Sequence, residues 1–306
     1  MTQGGSVGRA IAISLLALLL FDLMGLIIKH LSASYGAAEL SAYRNIFGVI
    51  PSIVALWSSG DWRQGGRRMR VRQWPLICLR GLIVTLAQLM FYLSLGRIAF
   101  ATTTTISYSS ALFTTVFAIL ILQERVGAVR WVAVLIGFAG VVLVMGLGRD
   151  GFSWDAALPA AAAALYALTG VTARLVDREV PSALVNLYSS VFAVIGSVLI
   201  ALVLGGFSRV GTATDMAWIV AMGGFGGTAV LCLVVSYRMT EQSNLAPFSY
   251  FGIPLAFFLG WLFFGELPVG DLFPGAILIA AGGLLVILRE RQLNRRGAVV
   301  VAAPEL

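Results

Sequence analysis

Charge is what this sequence has least of: 11% of its residues are Asp, Glu, Lys or Arg, against about a quarter in an ordinary soluble domain. Histidine occurs once, at His30, and cysteine twice, at Cys78 and Cys232. A single histidine leaves nothing for a histidine-based metal site, and no serine-histidine-aspartate pattern forms around it. The two cysteines sit in separate apolar runs without metal-ligand spacing, so they read as packing residues and not as a disulfide framework. No phosphate-cradling Gly-rich loop ending in Lys-Ser or Lys-Thr is present, which argues against ATP hydrolysis as a driving force. Neither a metal nor a cofactor is therefore expected. The longest polar connections fall at about 58–73, rich in Arg, and about 205–212, rich in Gly, so no soluble catalytic domain fits between the apolar runs.

What fills the chain instead is apolar side chain, 59% of residues, with a mean hydropathy of +0.94. A membrane-spanning helix needs about 20 such residues. Runs of that length lie at 10–31, 37–57, 74–96, 100–121, 128–147, 154–175, 182–204, 213–237, 244–265 and 270–289. The fold class expected is an all-α integral membrane protein with ten transmembrane helices. The runs are continuous, without the alternation of a membrane β-barrel. Asp22 interrupts the first run and nine more follow it, so that run reads as a retained helix and not as a cleaved leader.

The basic residues are sorted along this pattern. With the N-terminus inside, the inside-facing set is Arg9, Arg63, Arg67, Arg68, Arg70, Arg72, Arg125, Arg130, Arg174, Arg178, Arg238, Arg289, Arg291, Arg295 and Arg296, whereas only Arg97, Arg149 and Arg209 face outward. The positive-inside rule then predicts that both termini are cytoplasmic, and the excess of Arg over Lys with abundant Ala and Gly points to a bacterium and so to its inner membrane. The Arg63 to Arg72 cluster reads as an anchor against anionic lipid, which makes membrane lipid a partner and leaves no role for nucleic acid. No obligatory protein partner is indicated.

Sliding the chain against itself shows a repeat. A shift of about 145 residues places Ala17, Leu20, Leu23, Gly25, Tyr43 and Phe47 on Ala162, Leu165, Leu168, Gly170, Tyr188 and Phe192, and Lys29 on Arg174. A shift of about 142 places Ser94, Ser107, Tyr108, Glu124 and Gly140 on Ser236, Ser249, Tyr250, Glu266 and Gly282. The expected units are 10–147 and 154–289, each of five spans. An odd span count makes the second copy enter from the opposite side, so the repeats are inverted. Inverted repeats around a central site allow alternating access, in which the halves exchange shapes to open one face and then the other. Symmetry with a sparse polar interior favours a transporter of a small-molecule substrate over a lipid-acting enzyme or a channel.

Lys29, Tyr43-Arg44, the stretch from Ile119 to Glu124-Arg125, and Gly137 and Gly140 in the following span, together with Trp261 to Glu266, Gly275 and Gly282 in the second copy, resemble the EamA type of the drug/metabolite transporter superfamily. The resemblance covers the whole chain. It departs at Leu267, where the first copy has Arg125, and at Ser189, where it has Arg44. It implies a ten-helix basket with a central cavity between spans one to four and six to nine, with spans five and ten peripheral. Within the superfamily the chain looks most like YddG-type exporters of aromatic and other neutral amino acids, which implies secondary export of such solutes.

Several residues are candidates for the site. A charge at the middle of a span faces a cavity or a partner, which singles out Asp22 for coupling or charge compensation. Lys29 lies about 10 Å further along the helix, too far for a direct ion pair, with snorkelling to the headgroups as its alternative role. Arg44 lies deep inside span two, facing either substrate or a structural partner such as Glu39. Arg80 reads as a snorkelling residue. Gln88 and Tyr92 share one helix face, and Ser107 belongs to a hydroxyl-rich fourth span whose members either line the site or bond the preceding turn. Gly223 to Gly227, Pro247 and Pro254 mark kinked or flexible helix. Glu124 and Glu266 read as structural carboxylates. Tyr43, Tyr108, Tyr188 and Tyr250 each lie at gate depth, about 9–14 Å into their spans, as two sets on opposite sides.

Overall fold

The computed structural model describes residues 3–64, 66, 69, 71–123, 127–146, 154–177, 180–240 and 242–302. Every element among them is a helix. The order is α1 (Gln3–Leu31), α2 (Ala37–Ser58), α3 (Gly60–Gln64), α4 (Trp74–Leu95), α5 (Phe100–Ser107), α6 (Ser110–Leu122), α7 (Ala128–Val144), α8 (Trp154–Ala173), α9 (Ser182–Val203), α10 (Ala213–Met239), α11 (Gln242–Ser249), α12 (Gly252–Phe264), α13 (Val269–Leu272) and α14 (Gly275–Ala302). Eight segments are long and apolar enough to cross a bilayer, with α5–α6 and the α11–α12 region each forming one of them. The apolar helices Ala128–Val144 and Gly275–Arg289, where the fifth and tenth spans are expected, are shorter. Large apolar side chains face outward, Leu120 at 68% and Val203 at 83% exposure, the pattern of a lipid-facing surface. The protein is therefore a multi-pass membrane protein.

Glu124 and Arg125, together with Arg67, Arg68, Arg70, Arg149 and Arg178, lie outside the described residues. The expected spans four and nine are not single rods. The first breaks at Tyr108-Ser109 and the second at Tyr250-Phe251. Pro254 has no N–H to offer the carbonyl of Tyr250, which helps end the ladder there. By contrast α10 runs unbroken through Gly223 to Gly227, where kinking was expected. Those glycines serve close approach: a Cβ on Gly223 would overlap Phe47 of α2, and one on Gly227 would lie 2.6 Å from Pro51.

The end of α1 and its neighbouring loops define one face, called here the far face, and the start of α1 defines the near face. At the far face Lys29 Nζ is 2.7 Å from Glu266 and donates to the carbonyl of Ile98, while Glu266 accepts from the N–H of Phe100 at the start of α5. Arg97 pairs with Asp155 at 2.9 Å. Glu39 accepts from the N–H and hydroxyl of Ser208, and Tyr35 donates to Asp215. Beneath these contacts lies an apolar cluster built from Met24, Ile28, Tyr92, Phe100, Met222 and Leu259. At the near face a smaller cluster joins Leu56, Val71, Ile77 and Leu184, and Tyr188 donates to the carbonyl of Met69.

The helices pair across the chain and not along it. The most extensive packing joins α1 to α10, α14 to α7, α4 to α8, and α2 to both α9 and α10. Small residues allow it: a Cβ on Gly140 would lie 2.6 Å from the carbonyl of Gly275, and one on Gly282 would lie 2.7 Å from that of Ala133. Backbone contact of this kind replaces the hydrophobic effect, which cannot drive association where lipid is as apolar as the helix.

Candidate functional site

A cavity of about 610 Å³ lies inside the bundle, lined from α1, α2, α4, α5, α6, α8, α9 and α10. It stops short of the far face at Met24, Phe91, Tyr92 and Phe100, which belong to or pack on the far apolar cluster. Toward the near face its wall continues through Leu18, Ser52, Asn186, Ser190 and Tyr237, the last 44% exposed near the end of α10. The half-helices explain the asymmetry. At the far face α5 packs on α12, while toward the near face α6 packs on α8 and α11 on α1 and α14. The cavity is closed at one end and reaches toward the other.

Polar groups in the wall are incompletely bonded. Asp22 Oδ2, Arg44 Nε, the Tyr92 hydroxyl, the Thr104 hydroxyl and the Ser189 hydroxyl are buried with no hydrogen-bond partner among the described residues. Buried polar atoms left bare cost about 1–3 kcal/mol each, so five in one cavity mark a place meant to hold polar matter. Arg44 is steadied by one bond, Nη1 donating to Asn45 at 3.0 Å. Asn45 donates in turn to Gln88 at 2.8 Å and to Ser197 at 3.2 Å. Aromatic rings, Phe21, Phe91, Tyr92, Tyr108, Tyr166 and Tyr237 among them, make much of the remaining wall.

Of the residues singled out in the sequence, Asp22, Arg44, Gln88, Tyr92, Ser107 and Tyr108 line the cavity, whereas Lys29, Tyr43, Tyr188 and Tyr250 do not. Lys29 is paired with Glu266. Arg44 does not pair with Glu39, whose carboxylate is taken by Ser208. Arg80 donates from Nε to the carbonyl of Thr169. Tyr43 packs on Phe207 at 5.4 Å near the far face, and Tyr188 is bonded at the near face. Tyr108 and Tyr250 are not on opposite sides: both reach mid-depth and meet, rings 5.9 Å apart. The Ser107, Thr114 and Thr115 hydroxyls bond carbonyls one turn back, as hydroxyls in apolar helices do.

Asn45, Asn186 and Tyr166 are wall residues the sequence reading did not single out. The match of the sequence against itself carried the signal. Phe21 and Tyr166, Arg44 and Ser189, Asn45 and Ser190, and Gly48 and Ala193 are pairs at the 145-residue shift, and both members of each line the cavity. Gln88 with Val230 and Phe91 with Leu233 do so at the 142-residue shift.

The EamA-like transporter family model matches twice, at residues 8–146 and 154–288. A riboflavin transporter of Rhizobium johnstonii is 32% identical over 192 residues, 62% of this chain and 62% of that protein. The chain thus spans about 62% of the length of the riboflavin transporters of Rhizobium johnstonii and Vibrio cholerae. A pseudopaline exporter of Pseudomonas aeruginosa is 25% identical, covering 93% of this chain and 95% of that protein. An S-adenosylmethionine uptake transporter of Rickettsia felis is 22% identical over 88% of both chains. A solved crystal structure at 20% identity superposes with a TM-score of 0.63, covering 94% of this chain and 99% of the other, and so shares the fold. With both halves of the chain matched by the family model, the chain belongs to the EamA-like transporter family of the drug/metabolite transporter superfamily.

Proposed function

We propose that the protein is a secondary transporter of ten spans in two inverted five-helix repeats, 10–147 and 154–289, which moves a small polar metabolite by alternating access. The observation that carries this reading is the cavity, closed toward one face and reaching the other, with repeat-equivalent residues on both sides of it. The helix bounds support the same reading: α2 and α9 have equal length at a shift of 145 residues, and α5–α6 and α11–α12 break at the same place at a shift of 142. The basic asymmetry of the sequence supports cytoplasmic termini in a bacterial inner membrane, which makes the structure inward-facing.

Neutral amino acids, the larger aromatic ones included, suit a wall of aromatic rings, amides and hydroxyls, and export is the direction the family resemblance implies. Riboflavin is a second reading, favoured by the relatives named for it and by the flat ring surfaces of the wall. Purified protein in proteoliposomes, with empty vesicles as control, should accelerate movement of labelled phenylalanine or of riboflavin. Movement of neither would remove both substrate readings.

A further inference from the structure

We propose that the cavity selects a zwitterion, Asp22 receiving the cationic end of the solute and Arg44 its anionic end. The proposal rests on the transport reading above and adds the charge pattern the cargo must carry.

Asp22 is 6% exposed, with Oδ2 bare in the cavity wall, and Arg44 has a bare Nε in the same wall. Neither takes part in an ion pair among the described residues, although one acid and one base face a single space. A buried polar group left bare costs free energy until a solute supplies its partner. These two are held apart. Arg44 is fixed by Asn45 and lies against α10, where a Cβ on Gly226 would come within 2.9 Å of its Nε, so glycine at 226 makes the room it occupies. A solute with one charge would complete one of the two side chains and leave the other bare; a zwitterion completes both without adding net charge.

The repeat supplies an independent argument. Under the 145-residue shift Asp22 falls on Ala167 and Arg44 on Ser189. Charges required by the scaffold would be wanted in both halves. A solute has no two-fold axis, and charges that recognise it are needed once, which is how they occur.

The test compares phenylalanine with its methyl ester, which keeps only the cation, with N-acetylphenylalanine, which keeps only the anion, and with uncharged riboflavin, all in proteoliposomes. Wild-type protein should move phenylalanine at least about tenfold faster than either single-charge derivative, a modest ratio for a lost buried charge contact. Arg44→Gln should bring phenylalanine down to the rate of the methyl ester, and Asp22→Asn should bring it down to that of the acetylated form. Arg44→Lys, which keeps the charge, should retain at least part of the preference, and a monodisperse elution profile checks the fold of each variant. Riboflavin moved in preference to phenylalanine, or a charge preference unchanged in both variants, overturns the proposal and leaves the transporter reading standing. Movement of none of the four by wild-type protein overturns the proposal together with the substrate reading on which it rests.

Discussion

Removing the charge of Glu266 should open the far face. Lys29 and Glu266 meet at 2.7 Å with side chains 13% and 25% exposed, and they tie α1 to the loop after α12. An exposed pair is worth about 0–1 kcal/mol, and breaking a fully buried one costs about 3–5 kcal/mol. This pair lies between those limits, so Glu266→Gln is expected to cost the closed state about 2 kcal/mol. Glutamine retains an oxygen for the Phe100 N–H, which confines the change to the charge. At 1.4 kcal/mol per factor of ten, the population open at the far face should rise about tenfold to thirtyfold. Met222, fully buried in the apolar cluster beneath the pair, is the reporter: Met222→Cys in a chain with Cys78 and Cys232 replaced by Ser. Its labelling by a membrane-impermeant maleimide added from the far face should accelerate by that factor in Glu266→Gln. A rate unchanged within about twofold would mean that the ion pair does not hold the face shut, and that the apolar cluster alone does.

In the proposed inverted repeat Arg174 and Glu124 correspond in sequence to Lys29 and Glu266, so Glu124→Gln should act in the opposite sense and slow far-face labelling of the same reporter. Alkaline phosphatase fused after Arg296 should show little activity; high activity would reverse the topology. A Cβ on Gly252 would overlap the Tyr108 hydroxyl, so Gly252→Ala should destabilise by about 1–3 kcal/mol. Thermal unfolding in detergent should recover much of that loss in Gly252→Ala combined with Tyr108→Phe, and no recovery would place the strain elsewhere.

The spans were legible because continuous apolar runs interrupted by turns have few other readings, and Asp22 and Arg44 stood out as charges inside such runs. The breaks at Tyr108 and Tyr250 were hidden by their surroundings: both windows are apolar and long enough to cross as one helix, and only the first turn of the second half-helix, with Pro254, hints at the interruption. The partner of Lys29 was hidden for a different reason. Glu266 comes from the far end of the chain, and no local pattern joins them. Asn45 and Tyr166 were within reach, since each is a repeat-equivalent position whose counterpart, Ser190 or Phe21, also faces the cavity. A comparison of the two copies position by position finds wall residues that hydropathy does not.

That helices pair across the chain has a consequence for how the protein is made. Emerging from the ribosome, α1, α2, α4 and α7 enter the bilayer before α8, α9, α10 and α14, against which they chiefly pack, have been synthesised. Their glycine seams and Asp22 and Arg44 then face lipid or a chaperone until the second half arrives. Assembly resembles the meeting of two subunits joined by a tether, and a chain stopped after α7 would lack the helices against which its first half chiefly packs.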